Sequence, residues 1–354
     1  MNSTLPRPSI HGAVAAVAVA VIVAACTGLT SSSAAPAAVS PSIRSTAAPT
    51  SASIIASPAS QSGGQPGSTD GQVDQDQSDA KVHYASASAS QVLDLWKPVD
   101  AVAPVPLIIF VHGGAFVAGD RSMEDPYIAP VLAAGYAAAS LDYRLSGEAP
   151  FPAAVQDVKA AVRFLRANAA RYGLDPDRFA AWGQSAGGYL ATMIGTTGDQ
   201  ATVFDDPSLG NAGVSSAVQG VVDLSGPTDF LQLDAQFASV TPAACNGVVP
   251  AYDPADSPVS LFLGAPLQAV PDRAAAADPI TYIATAKKLP AFFIAHGDSD
   301  CQVPHQQSQI LHEALRAAGA TSTFTLVAGA GHDESVFTGQ APIALEMLKS
   351  VFGK

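Results

Sequence analysis

A continuous apolar run, Leu107-Ile108-Ile109-Phe110-Val111, is bounded by Pro106 and by His112-Gly113-Gly114. No other stretch constrains the fold as strongly. The run does not alternate and is short for a helix, so it reads as a strand buried on both faces. Such strands belong to parallel sheets covered by helices. Comparable runs recur at 136–141, 179–182, 218–224, 291–295 and 323–327. Val155, Val158, Val162 and Leu165 recur at helical spacing, which predicts an amphipathic helix over 152–172, opened by Pro152 and stopped by Gly173. Further helices are predicted over 186–194, 306–318 and 343–351. The alternation predicts an α/β fold, a mostly parallel central sheet flanked by helices. Segment 228–277, rich in Pro, Asp and Ala with weak periodicity, breaks the alternation. It is expected to form a lid or loop-rich insertion over the strand ends.

The N-terminal part has a different texture. Residues 1–12 are polar with one arginine, Arg7, and 13–25 are apolar. That run is shorter than the roughly 20 residues a membrane-spanning helix needs, and it fits the apolar region of a signal peptide. It ends in Val23-Ala24-Ala25-Cys26, which resembles the lipobox of bacterial lipoproteins. That resemblance implies a diacylglycerol on Cys26 and a stable two-chain membrane anchor. The alternative is an ordinary secretory signal that contains a cysteine; both export the chain. Residues 27–80 are dominated by Ser, Ala, Pro, Thr, Gly and Gln. They carry too little apolar surface to offset ordering entropy and are expected to be a disordered linker ahead of a catalytic domain over 81–354.

Export bears on the cysteines. There are three, Cys26, Cys245 and Cys301, and none forms a C-x-x-C pair that would suggest zinc or thioredoxin-type chemistry. With Cys26 lipidated, Cys245 and Cys301 remain, and an oxidising compartment favours a disulfide between them over two unpaired buried thiols. The net charge of −13 repels phosphate backbones and anionic headgroups. Nucleic acid is therefore an unsuitable partner, and membrane contact is expected only through Cys26.

Gly183-Gln184-Ser185-Ala186-Gly187 fits G-x-S-x-G and falls between a predicted strand and a predicted helix. A sharp strand-to-helix turn exposes a serine hydroxyl for nucleophilic attack, and the N–H of Ala186 at the helix start can face a developing oxyanion. His112-Gly113-Gly114-Ala115-Phe116 follows the 107–111 strand as an HGGG-type loop, which predicts further donors at Gly114 and Ala115. Alanine at the third position slightly favours small acyl groups or primary-alcohol esters. His112 is read as holding the loop. The base is expected late in the chain, and His332 in Gly329-Ala330-Gly331-His332 follows the last strong strand in a glycine loop, whereas His305 and His312 fall at a helix start or on a helix face, His296 closes a strand and His83 precedes the core. The acid is expected in His296-Gly297-Asp298-Ser299-Asp300, where Asp298 and Asp300 compete; Asp300 lies closer to Val303-Pro304.

Together these motifs resemble the α/β-hydrolase carboxylesterases, in the branch between hormone-sensitive-lipase-type esterases and the feruloyl/acetyl (BD-FAE-like) esterases. The resemblance runs from Leu93 to the C-terminus. It also rests on Asp142-Tyr143-Arg144-Leu145, Phe151-Pro152-Ala153-Ala154, Gly173-Leu174-Asp175-Pro176 and Ser225-Gly226-Pro227-Thr228-Asp229. It implies the α/β-hydrolase fold, places the acid on Asp300 and implies a Ser185–His332–Asp300 triad. The activity implied is hydrolysis of short-chain carboxylic esters through an acyl-enzyme, with acetyl or feruloyl esters of carbohydrates among the substrates and no metal or organic cofactor. The same fold and triad order occur in prolyl-oligopeptidase-type serine peptidases, which carry a large additional N-terminal domain. A non-catalytic binding module on this fold would lack a triad residue.

Overall fold

The computed structural model describes residues 77–353 apart from 103 and 199. The expected signal peptide over 1–26, the lipidation site Cys26 and most of the expected linker lie outside the described residues.

Eight strands form one sheet: β1 Gln77–His83, β2 Val92–Trp96, β3 Val105–Val111, β4 Ala137–Leu141, β5 Leu174–Gln184, β6 Gly220–Leu224, β7 Ala291–Gly297 and β8 Ser322–Val327. Their order is β1-β2-β4-β3-β5-β6-β7-β8. The β1–β2 and β2–β4 pairs are antiparallel, and every later pair is parallel. The α-helices are α1 Asp125–Ala133, α2 Ala153–Ala167, α3 Ala169–Tyr172, α4 Ala186–Thr197, α5 Leu233–Ser239, α6 Pro258–Leu263, α7 Pro271–Ala277, α8 Ile280–Ile283, α9 Gln306–Ala317 and α10 Ala341–Phe352.

β3 shows why its sequence does not alternate. Side chains along a strand point to opposite faces, and here both faces are covered. Leu107, Ile109 and Val111 pack in one core with residues of α2, α4 and α9, such as Val158, Leu190 and Leu311. Ile108 and Phe110 pack in a second core with residues of α1 and α10, such as Ile128 and Leu348. Every residue of β3 is buried.

Four expectations differ from the structure. The linker was expected to run to 80, yet β1 begins at Gln77. Pairing with β2 forms this strand: Gln77 lies opposite Trp96, and Lys81 N donates to Asp94 Oδ1 at 2.6 Å. The single helix expected over 152–172 is two, because Asn168 adopts a non-helical conformation and its side chain donates back to Phe164 O at 2.9 Å. β5 starts at Leu174, well before the apolar run, because Leu174 pairs with Val105. The 228–277 segment keeps long loops but also carries three short helices that were not expected, α5, α6 and α7. Each is too short to show a period in sequence, and Pro stands at the first turn of two of them.

Candidate active site

Ser185 sits in the turn between β5 and α4 with φ +55° and ψ −125°, a region costly for a residue with a Cβ. The turn is held from outside. Ser185 N donates to Leu224 O of β6 at 2.7 Å. A Cβ on Gly187 would stand 1.9 Å from Val111 O, and one on Gly183 would stand 2.1 Å from Gly187 O. The elbow therefore closes only with glycine at both places. Beneath it, the buried Asp223 accepts from Thr192 Oγ1 at 2.8 Å and from Gly226 N at 2.9 Å. Burial pushes the Asp223 carboxyl up to about 6 against those two hydrogen bonds.

The loop after β3 passes through three consecutive positive-φ residues, Gly114, Ala115 and Phe116. Their N–H groups have no hydrogen-bond partner among the described residues. Ala186 opens α4, so its N–H has no carbonyl within the helix to bond. Two anchors fix the loop. Phe116 is buried, stacks on Phe262 of α6 at 4.0 Å between centroids and meets Tyr189 edge-on at 5.3 Å. His112 stacks on Tyr143 at 4.3 Å, and its Nδ1 lies 2.8 Å from Gly113 O. Burial holds the His112 imidazole below its ordinary range, consistent with a structural rather than proton-transferring group.

The Asp142-Tyr143-Arg144 motif fastens this loop to the sheet. Tyr143 Oη donates to His112 O at 3.0 Å. Arg144 forks onto the fully buried Asp157 of α2, with Nε to Oδ2 at 2.8 Å and Nη2 to Oδ1 at 2.7 Å. Arg121 bridges Asp94 and Asp142, at 2.7 and 2.6 Å.

Asp300 and His332 come together at the ends of β7 and β8. His332 Nδ1 lies 2.7 Å from Asp300 Oδ2. Asp300 Oδ1 accepts from the N–H groups of Gln302 and Val303 at 2.7 and 2.8 Å. His296, expected to be structural, is buried with Nδ1 2.7 Å from Ser308 Oγ and Nε2 2.9 Å from Val303 O. Its Nε2 is also 3.2 Å from Asp300 Oδ2. Burial alone would raise the Asp300 carboxyl, but the bonds from His296 and His332 outweigh it and hold the group far below the usual carboxylate range. Asp298 instead accepts from Gly329 N and Ser299 Oγ, pinning the turn.

Ser185, Ala115 and Ala186 line one cavity of about 40 Å³ with Phe116, Leu233, Tyr252, Val259 and Val303. Among the described residues, the Ser185 hydroxyl makes no hydrogen bond to His332; in unliganded sites such bonds are often loose and tighten around a substrate. The 228–277 segment is tied to the Asp300 loop twice. Cys245 and Cys301 are bonded, with Cα atoms 5.5 Å apart, and Tyr252 Oη donates to Gln302 O. Arg121, Asp157, Asp223 and Tyr252 had no role assigned from sequence. Apart from Gly226 beside Asp223, the partners described above are distant in the chain, so no local spacing marks these residues.

A family model described as BD-FAE matches residues 93–315. The chain is 30% identical to esterase LipC of Mycobacterium tuberculosis over 71% of this chain and 58% of that one. It spans a little over half the length of the curated relatives it matches first. A solved structure described as a truncated form of a carbohydrate esterase from gut microbiota is 34% identical, with TM-score 0.65, over 78% of this chain and 98% of that one. Butyrate-bound esterase Est2 of Thermogutta terrifontis shares the fold at 23% identity, with TM-score 0.59, over 76% of this chain and 93% of that one.

Proposed function

As the chain belongs to the BD-FAE family and carries the α/β-hydrolase fold, we propose that it is a serine carboxylesterase acting on short-chain esters. Ser185 is the nucleophile, His332 the base and Asp300 the acid. The observation that carries this reading is the Asp300 Oδ2–His332 Nδ1 hydrogen bond of 2.7 Å. With Nδ1–H donated to a carboxylate, the neutral imidazole keeps its Nε2 lone pair free to accept a proton.

In the proposed reaction, His332 Nε2 takes the Ser185 proton as Oγ attacks the ester carbonyl. Negative charge then develops on the carbonyl oxygen, where the N–H groups of Gly114, Ala115 and Ala186 stabilise it. His332 returns the proton to the leaving alcohol. Water, deprotonated by the same imidazole, then releases the acid from the acyl-enzyme. The unpartnered loop N–H groups support the oxyanion assignment.

The cavity beside Ser185 has room for about three water-sized groups. Its walls are mostly apolar. That size suits an acetyl group. The likeness to a carbohydrate esterase supports acetylated carbohydrate as the substrate class. On the lipobox resemblance we place the enzyme outside the cytoplasm, held to a membrane through Cys26 or secreted. Hydrolysis of a p-nitrophenyl ester series tests the reading: activity should peak at acetate to butyrate, and a preference for long chains would reject it.

A further inference from the structure

Behind the nucleophile elbow lies a carboxyl group that the proposed chemistry does not use. Glu124 ends the 3-10 turn of Arg121–Glu124, between the oxyanion loop and α1, and is wholly buried. Its Oε1 accepts from Gln184 Nε2 at 3.1 Å, and Gln184 is the residue immediately before Ser185. Its Oε2 is buried without a hydrogen-bond partner, as are Tyr127 Oη and Trp182 Nε1. The rings of Phe110, Tyr127 and Trp182 pack pairwise in the same core, with centroids 5.5 Å apart.

Unpaired polar atoms in an apolar setting are costly, so a glutamate here needs a reason. Its neighbours suggest one. Tyr143, whose hydroxyl holds the loop after β3 at His112 O, would feel a charge on Glu124 were it ionised. So would Tyr127 of α1. Glu334, two residues past His332, and Asp125 act on Glu124 in turn. Among the described residues the charged and titratable groups that act on Glu124, or on which it acts, are Asp125, Glu334, Tyr127 and Tyr143, and none is a cation. Glu124 thus stands beside the elbow, in the turn between the loop after β3 and α1.

We propose that Glu124 is a positioning residue for Ser185: its buried carboxyl group fixes the Gln184 side chain and thereby sets the elbow. The proposal rests on the reading of Ser185 as the nucleophile. Glu124 acts as the neutral acid. Burial, reinforced by Glu334 and Asp125, pushes its carboxyl up to about 8 against the Gln184 hydrogen bond. Ionisation above that pH puts an uncompensated negative charge behind the elbow, so turnover falls on the alkaline side.

The test uses Glu124→Gln and Glu124→Ala with p-nitrophenyl acetate from pH 6 to 9.5, the fold being checked by circular dichroism. Glutamine keeps the acceptor for Gln184 and cannot ionise. Wild-type turnover should fall near pH 8, and the Gln variant should hold its neutral-pH kcat within about threefold and lose that fall. The Ala variant should lose about tenfold in kcat with KM little changed. A folded Ala variant with wild-type kcat, or a Gln variant with the wild-type alkaline fall, would overturn the proposal. If the Ala variant does not fold, the pH profile of the Gln variant decides. Active-site titration with a fluorophosphonate separates the two readings. Wild type that fails to label at Ser185 removes the nucleophile assignment itself; Ala variant that labels fully yet turns over slowly supports positioning.

Discussion

Replacing both Cys245 and Cys301 with alanine removes a cross-link over a sequence separation of 56 residues. In the chain-entropy description, closing a loop of that length stabilises the fold by about 4 kcal/mol. For a domain of this size each kcal/mol shifts the midpoint by about 2 °C, so the double variant should melt about 8 °C below wild type. The same bond sits beside Asp300, so loosening it should also affect turnover. Asp300 keeps its bonds from Gln302 N and Val303 N, and Tyr252 still fastens the insertion to Gln302 O. The kinetic loss should therefore be several-fold and far smaller than that from replacing Asp300. Thermal unfolding by circular dichroism and kcat on p-nitrophenyl acetate measure the two effects. A double variant that melts within about 1 °C of wild type and turns over normally would refute the argument that this bond pins the insertion to the acid loop.

Asp300→Asn should lower kcat by about 10⁴-fold without unfolding the protein, because an amide no longer selects the productive imidazole tautomer; pre-steady-state and steady-state ester hydrolysis would measure it. Gly187→Ala should destabilise by about 3 kcal/mol or more, read from urea unfolding, since its new Cβ would stand 1.9 Å from Val111 O. Asp157→Ala leaves Arg144 without its buried partner and should cost about 3–5 kcal/mol in the same assay. The Glu124 carboxyl is raised from its ordinary 4.5 to about 8 in the folded chain, so its contribution is full below pH 4.5 and is lost as pH rises towards 8. Wild-type melting temperature should therefore fall relative to Glu124→Gln across that window, and parallel profiles would contradict the burial argument. Asp300 works in the opposite sense: its carboxyl is depressed, so its contribution is present above the ordinary 3.8 and lost as pH falls below it.

The parts of the fold that were legible in sequence are those whose signal is local. β3 announces itself because both faces are buried, which makes five consecutive residues apolar. Antiparallel β1 was not legible, because its partner across the sheet rather than its own composition forms it. α1 was missed for a similar reason: Asp125, Pro126 and Pro130 mask the apolar face of Tyr127, Ile128, Val131 and Leu132. The Ser185 turn and the loop after β3 could be read because each needs glycine at fixed offsets. The local reading favoured Asp300 over Asp298 only through its nearness to Val303-Pro304. The structure distinguishes them by contacts no spacing encodes: Asp300 faces His332 and His296, whereas Asp298 faces Gly329 N. Glu124 gave no signal at all. In Ser122-Met123-Glu124-Asp125 it looks like an exposed charge at a helix start, and only the long-range contact with Gln184 places it in the core.

The central claim is that Ser185 is the nucleophile of an esterase. Incubation with a fluorophosphonate followed by peptide mass spectrometry, beside p-nitrophenyl acetate hydrolysis by wild type and Ser185→Ala, tests it most directly. The account predicts a single adduct on Ser185 in wild type, and no adduct and no turnover in the variant. An adduct elsewhere, or a folded Ser185→Ala protein that still hydrolyses the ester, would contradict it.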